Sequence, residues 1–304
     1  MNKIEQTAIV GMGALGLLFG SQIARSLGDD KIYFVADEER VARYQNMTFT
    51  INGKKTLFEV RSQSEATVVD LVIVATKYNH LDAALEVMKN CVGKDTTIIS
   101  IINGISSEKI IGARYGKDKV LHTVAQGMDA VKIGSDFQYT HPGELRIGII
   151  DEVQRKRLEQ VVTFFEKAQI PYTVDADIIH RMWGKYMLNV GLNQVCMLYE
   201  ATYGEVLGKA EAFDTMCKAM REVMALARAE GVNLTEQDLN YYLDLMRTLV
   251  PDATPSMRQD GILKRYSEVE MFAGTIIELG AKHNIPVPVN QMLYKKVKEK
   301  EAAY

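Results

Sequence analysis

Six residues near the start of the chain, Gly11-Met12-Gly13-Ala14-Leu15-Gly16, constrain its fold more than any others. They come after a short apolar run at 7–10 and lead into residues 15–27, where Leu15, Leu18, Phe19, Ile23 and Leu27 recur at near-helical spacing. A Gly-x-Gly-x-x-Gly pattern is weak by itself. Between a strand and a helix it marks the first turn of a dinucleotide-binding βαβ unit. There Gly11 permits the tight turn, Gly13 lets the backbone approach a pyrophosphate, and Gly16 lets helix and strand pack closely. The phosphates are expected on the N–H groups exposed at the helix N-terminus.

Beyond this turn, strands and helices alternate. Residues 32–35 read as a second strand, with Asp37 at its C-terminal end, 21 residues past Gly16. An acid there hydrogen-bonds an adenosine ribose 2′-OH and repels a 2′-phosphate, which favours NAD(H) over NADP(H). Arg40 offers a phosphate partner instead, and the run from Asp37 to Arg40 also reads as a solvated helix start. Residues 48–60 alternate around Asn52-Gly53 and predict a hairpin. Residues 68–75 form a continuous apolar run, typical of a parallel strand covered on both faces, with Lys77 just beyond its end.

A helix is expected over 81–91 and a buried strand over 97–102, ending in Asn103-Gly104. An Asn at that spot can orient a nicotinamide carboxamide, although Asn-Gly is also good turn chemistry. Then come a strand at 120–125, a hairpin of 137–140 with 144–149 around His141-Pro142-Gly143, a helix at 153–167 and a short strand at 172–174. The pattern is α/β and predicts a doubly wound Rossmann domain over residues 1–175.

Residues 176–304 differ in kind, since no strand pattern appears after 177. A helix over 177–199 is apolar nearly all round, except that Lys185, Asn189 and Asn193 fall four residues apart and share one face. Such a stripe either lines a cleft or forms a narrow solvated edge. Further helices are expected over 205–230, 235–249 and 262–284, the last carrying Glu268 and Glu270, with a charged helix running to 300. By local pattern Ser256 is a helix cap and Glu268 a solvated helix residue.

Composition removes other classes of function. A net charge of −3 gives no footprint for nucleic acid or anionic lipid. No run of 18 apolar residues predicts a membrane span, and the start of the chain lacks a signal-peptide core. The three cysteines show no CxxC spacing, which suits a reducing cytoplasm, and the five histidines show no metal-ligand spacing. No metal is expected.

Along nearly its whole length the chain resembles the ketopantoate reductase family. The glycine turn, Thr76-Lys77, Ile102-Asn103-Gly104 and Trp183-x-Lys185-x3-Asn189-x3-Asn193 carry the likeness, with Ser256-Met-x-Gln-Asp260, Arg265-x2-Glu268 and Pro288-x-Asn290. The resemblance implies a Rossmann domain and then an all-helical domain similar to that of 6-phosphogluconate dehydrogenases. It also implies reduction of a small 2-oxo acid by hydride from a nicotinamide, in a cytoplasmic homodimer.

Carried over by position, Lys185 is the proton donor and Glu268 binds a substrate hydroxyl or the lysine network. Asn189, Asn193 and Ser256 bind substrate, and Asn103 binds both substrate and cofactor. Residues 11–16 and Lys77 hold the cofactor, joined by Asp37 on its spacing from Gly16 alone. Three positions depart from the family pattern. Asp37 stands where well-known members carry an Arg for the 2′-phosphate of NADP(H), the family default. Tyr203 and Ala253 fall where some members have a substrate-binding Asn. All three point towards the family's NAD-dependent D-2-hydroxyacid dehydrogenases of the D-mandelate type, which act on branched or aromatic acids.

Overall fold

Strands that are apolar on both faces need cover on both sides, and crossover helices provide it in the first half of the chain. The structure, a computed structural model, describes residues 3–304 and separates into two units, Met1–Ile178 and Ile179–Tyr304. The first unit begins with β1 (Thr7–Val10), α1 (Ala14–Leu27), β2 (Ile32–Ala36) and α2 (Glu38–Tyr44). Next come β3 (Phe49–Ile51), β4 (Lys54–Thr56), β5 (Val60–Ser62), β6 (Leu71–Val74), α3 (Leu81–Val87) and β7 (Thr97–Ser100). It continues with α4 (Ser107–Tyr115), β8 (Val120–Met128), β9 (Val131–Ile133) and β10 (Asp136–Gln138). It closes with β11 (Pro142–Gly148), α5 (Arg155–Lys167) and β12 (Tyr172–Val174).

Eight strands form one sheet in the order β12-β11-β8-β7-β6-β1-β2-β5. β1 pairs in parallel with β2 on one side and β6 on the other, so the strand order reverses there. Ligands of open α/β sheets bind beyond the strand ends at such a switch point. Every residue of β1, β2, β6 and β7 is buried.

Two expected hairpins change partners. Residues 49–56 do form one, with Asn52 and Gly53 both at positive φ (47° and 80°), as an Asn-Gly turn requires. It belongs, however, to a separate four-stranded sheet, β4-β3-β10-β9, while β5 joins the large sheet beside β2. β10 likewise pairs with β3 and β9, whereas β11 lies antiparallel to β8, so 137–149 is not a hairpin around His141. α4 had no expected counterpart, because its glycine, charged and apolar residues make no continuous apolar face.

The second unit is helical: α6 (Ile178–Tyr199), α7 (Tyr203–Gly208), α8 (Ala210–Ala229), α9 (Glu236–Arg247), α10 (Ser256–Ile262), α11 (Thr275–His283) and α12 (Pro288–Glu301). Small residues of α6 let its neighbours approach closely. A Cβ on Gly191 would come within 2.6 Å of Met220 on α8, and one on Gly184 within 2.5 Å of Tyr242 on α9. Asn290, of the Pro288-x-Asn290 motif, is fully buried. Its side chain donates to Glu222 at 2.7 Å and accepts from Gln194 at 3.2 Å, tying α12 to α8 and α6.

Two expected helices are interrupted. Lys209 is extended, which divides 203–229 into α7 and α8. The helix expected over 262–284 breaks after Ile262. Lys264 adopts a left-handed conformation (φ 49°), Arg265 pairs with Asp260 at 2.9 Å, and the Ser267 N–H bonds to Glu301 at 2.8 Å. The chain then resumes through a π turn, Glu270–Gly274, before α11.

Candidate active site

The three glycines of the turn are small for different reasons. Gly11 has φ +109°, and a Cβ there would lie 2.6 Å from the Ala75 carbonyl oxygen beyond β6. At Gly16 a Cβ would lie 2.0 Å from the Gly11 carbonyl oxygen, so this glycine closes the turn on itself. Gly20 adds a second close approach of α1 to the sheet, since a Cβ there would come within 2.8 Å of the Phe34 ring on β2. Gly13 is the exception. Its φ of −77° is ordinary, and its Cβ would meet nothing nearer than the Ala75 oxygen at 3.9 Å. Gly13 is also the exposed N-cap of α1 and brings no side-chain cap, so the first N–H groups of that helix are not covered by its own residue. Met12 is buried, while Ala14 and Leu15 are half-buried behind it.

Asp37 caps α2: its carboxylate accepts from the Arg40 N–H at 2.8 Å and its other oxygen pairs with the Arg40 guanidinium. The helix-start reading of the run from Asp37 to Arg40 is thus borne out. Lys77 is half-buried just past β6, and Asn103 half-buried past β7, where Gly104 takes φ +104° as its turn demands. Residues 11–16, Asp37, Lys77 and Asn103 all lie past the C-terminal ends of parallel strands in this unit.

In the second unit, α6 is buried on nearly every side. Within 182–197, only Lys185 and Asn189 are half-buried, and Asn193, a turn further on, is buried. Neither amide makes a side-chain hydrogen bond to another described residue, which leaves both able to bind a ligand. Burial lowers the pKa of Lys185 to about 8, and the nearby Glu268 carboxylate opposes the fall.

Glu268 stands two residues before the π turn, and its carbonyl accepts from the Phe272 N–H at 3.0 Å. The Tyr186 hydroxyl, next to Lys185 in the chain, donates to the Met271 and Phe272 carbonyls at 2.9 and 2.8 Å. Lysine and glutamate thus sit on two segments pinned by one buried phenol. Sequence reasoning missed Tyr186. A phenol in an apolar helix needs a polar partner, and that was the available signal.

Ser256 is exposed at the first residue of α10; Pro255 occupies the cap position, so the serine is not the cap expected locally. Tyr203 and Ala253, far apart in sequence, are neighbours: the Tyr203 N–H donates to the Ala253 carbonyl at 3.1 Å. Burial pushes the Tyr203 phenol up to about 12, and Cys196 on α6 adds to the shift. The two unusual positions are therefore adjacent in the fold.

A glycine turn leading into α1 on a parallel sheet in one unit, and a half-buried lysine near a carboxylate in the other, are what a two-unit dehydrogenase or reductase requires. The chain belongs to the ketopantoate reductase family: the model of its N-terminal part matches residues 7–152 and that of its C-terminal part matches 177–301. A 2-dehydropantoate 2-reductase of Streptococcus pyogenes serotype M18 is 27% identical over 97% of each chain. Among solved structures, a ketopantoate reductase of this family from Ralstonia eutropha superposes with a TM-score of 0.85 at 23% identity, over 98% of this chain and 99% of that one. D-mandelate dehydrogenase in complex with NADH superposes with 0.88 at 21% identity, over 98% and 99%.

Proposed function

We propose that the protein reduces the C2 ketone of a branched 2-oxo acid to the D-2-hydroxy acid, 2-dehydropantoate being the family-default substrate. The observation that carries this is Lys185, half-buried on an apolar helix, with its pKa lowered to about 8 beside Glu268. Near neutral pH that lysine is mostly protonated yet ready to give the proton up, as a general acid must be.

The residues of the first unit suit a nicotinamide dinucleotide. Gly13, which internal packing does not require to be small, leaves the N-terminus of α1 open to a pyrophosphate. When bound in reduced form, the dinucleotide supplies the hydride. As the substrate ketone oxygen gathers negative charge, the Lys185 ammonium stabilises it and protonates it. Asn189 and Asn193 hold the substrate and orient the lysine, and Ser256 receives its carboxylate. Glu268 steadies the ammonium charge and accepts from a substrate hydroxyl. Asn103 and Lys77 hold the cofactor beyond β7 and β6. Asp37 selects NAD(H) by bonding the ribose 2′-OH. A cytoplasmic homodimer completes the proposal, and light scattering on the purified chain tests the dimer.

One observation favours a second substrate class. Tyr203 and Ala253 are joined by a backbone hydrogen bond, and they bring an aromatic and a methyl side chain where some relatives place an amide. That suits a branched aliphatic or aromatic 2-oxo acid of the D-mandelate type. Steady-state rates with NADH and NADPH against ketopantoate, 2-oxoisovalerate and phenylglyoxylate decide among these. Strong preference for NADPH with ketopantoate overturns the role given to Asp37, and no turnover of any pair overturns the whole assignment.

A further inference from the structure

A second lysine has no place in the chemistry so far. Lys132 lies on β9 of the small sheet, and its Nζ donates to the Met12 carbonyl, inside the glycine turn, at 2.7 Å. The ammonium also stands over the rings of Tyr44 and Phe49, 5.6 and 5.4 Å from their centroids. Such cation–π contacts hold a charge in place without neutralising it. Burial lowers the pKa of this lysine, and no carboxylate among the described residues opposes the fall. A half-buried cation held by one carbonyl and two ring faces thus has no counter-ion among the described residues.

Its position says which counter-ion would fit. Met12 directly precedes Gly13, the open N-cap of α1, so the ammonium is anchored one residue before the start of that helix. An ammonium has three protons to donate, and the Met12 carbonyl takes one. We infer that Lys132 is a cofactor-binding residue whose ammonium receives a phosphate group of the dinucleotide. The small sheet then has a purpose: it carries this cation to a turn that the large sheet builds without one. The inference rests on the assignment of a nicotinamide dinucleotide to the glycine turn. Two phosphates share the chemistry, the pyrophosphate present in both cofactors and the 2′-phosphate present only in NADPH.

Binding of NADH and of NADPH, measured by titration calorimetry on the parent, Lys132→Met and Lys132→Arg proteins, tests it. A charge-assisted hydrogen bond predicts that Lys132→Met weakens binding by roughly tenfold or more, with Lys132→Arg close to the parent. Loss with both cofactors assigns the pyrophosphate; loss with NADPH alone assigns the 2′-phosphate. The salt dependence of binding should also become shallower in Lys132→Met. Unchanged affinity in that variant overturns the inference, as does equal loss in both variants, because the charge is then not what matters. If the parent binds neither cofactor, the dinucleotide assignment fails instead. Thermal melting of each variant separates lost binding from lost fold.

Discussion

Two half-buried lysines, Lys132 in the first unit and Lys185 in the second, keep different company. Lys185 has a carboxylate near it, and burial with partial compensation brings its pKa to about 8. Lys132 has a carbonyl and two aromatic faces, and no acid among the described residues opposes the effect of burial. The first environment lets a proton leave and return at neutral pH. The second keeps a charge in place for something negative to meet it. Burial alone would have made the two look alike; the neighbours are what separate the proposed proton donor from the proposed anion receptor.

The largest effect that would break this comparison is at Lys185. Removing a general acid typically costs roughly 10²–10⁴ in rate. Lys185→Ala should lose that much in kcat for ketone reduction while binding NADH as the parent does. Turnover near the parent rate would mean that the stripe on α6 is a solvated edge and nothing more.

A second pair of variants tests the glycine turn against its own packing. Gly13→Val should fold with a melting temperature near the parent's, since its Cβ meets nothing nearer than 3.9 Å, yet bind dinucleotide poorly. Gly16→Ala places a Cβ 2.0 Å from the Gly11 carbonyl oxygen and should melt several degrees lower. Retained cofactor affinity in Gly13→Val would remove the ligand as the reason for that glycine.

Much of this was legible in the sequence wherever the cause is local. The glycine turn is set by sterics within six residues, and the stripe on α6 by helical spacing alone, so both could be read from the chain. The break at 263–268 could not. Ser267 turns because Glu301, 34 residues on, accepts its N–H, and that contact has no local trace. The small sheet was hidden for the same reason, since β10 finds its partner in β3, more than eighty residues earlier. Lys132, one lysine in a Val-Lys-Ile run, gave no hint of the turn it reaches. Local pattern therefore misread Glu268 as a solvated helix residue and missed Lys132, both placed by distant partners, while the turn and the stripe, placed by their own spacing, were read.

The proton-donor half of the comparison is sharpened by pH. Lys185 has a folded pKa below the ordinary lysine value, so the protonated acid is lost as pH rises through about 8. The rate of ketone reduction should fall along that limb. Glu268 acts against the lowering, so Glu268→Gln should move the limb to lower pH, as read from kcat/KM between pH 6 and 10. A limb that stays put would show that the carboxylate does not reach the ammonium.

The smallest effect is expected one residue along. Tyr186 touches neither substrate nor cofactor in this scheme; its hydroxyl pins the π turn just beyond Glu268. Tyr186→Phe keeps the ring and removes only the donor, leaving two buried carbonyls without it at a cost of about 1–3 kcal/mol. If the turn positions Glu268, the alkaline limb should shift in the same direction as in Glu268→Gln, but less, with kcat reduced a few-fold and NADH affinity unchanged. A lower melting temperature with an unmoved limb would reduce Tyr186 to a packing residue. A π turn usually costs helix geometry and is often found at functional sites. Here the benefit would be a carboxylate held at the distance that keeps a buried lysine charged until the ketone needs its proton.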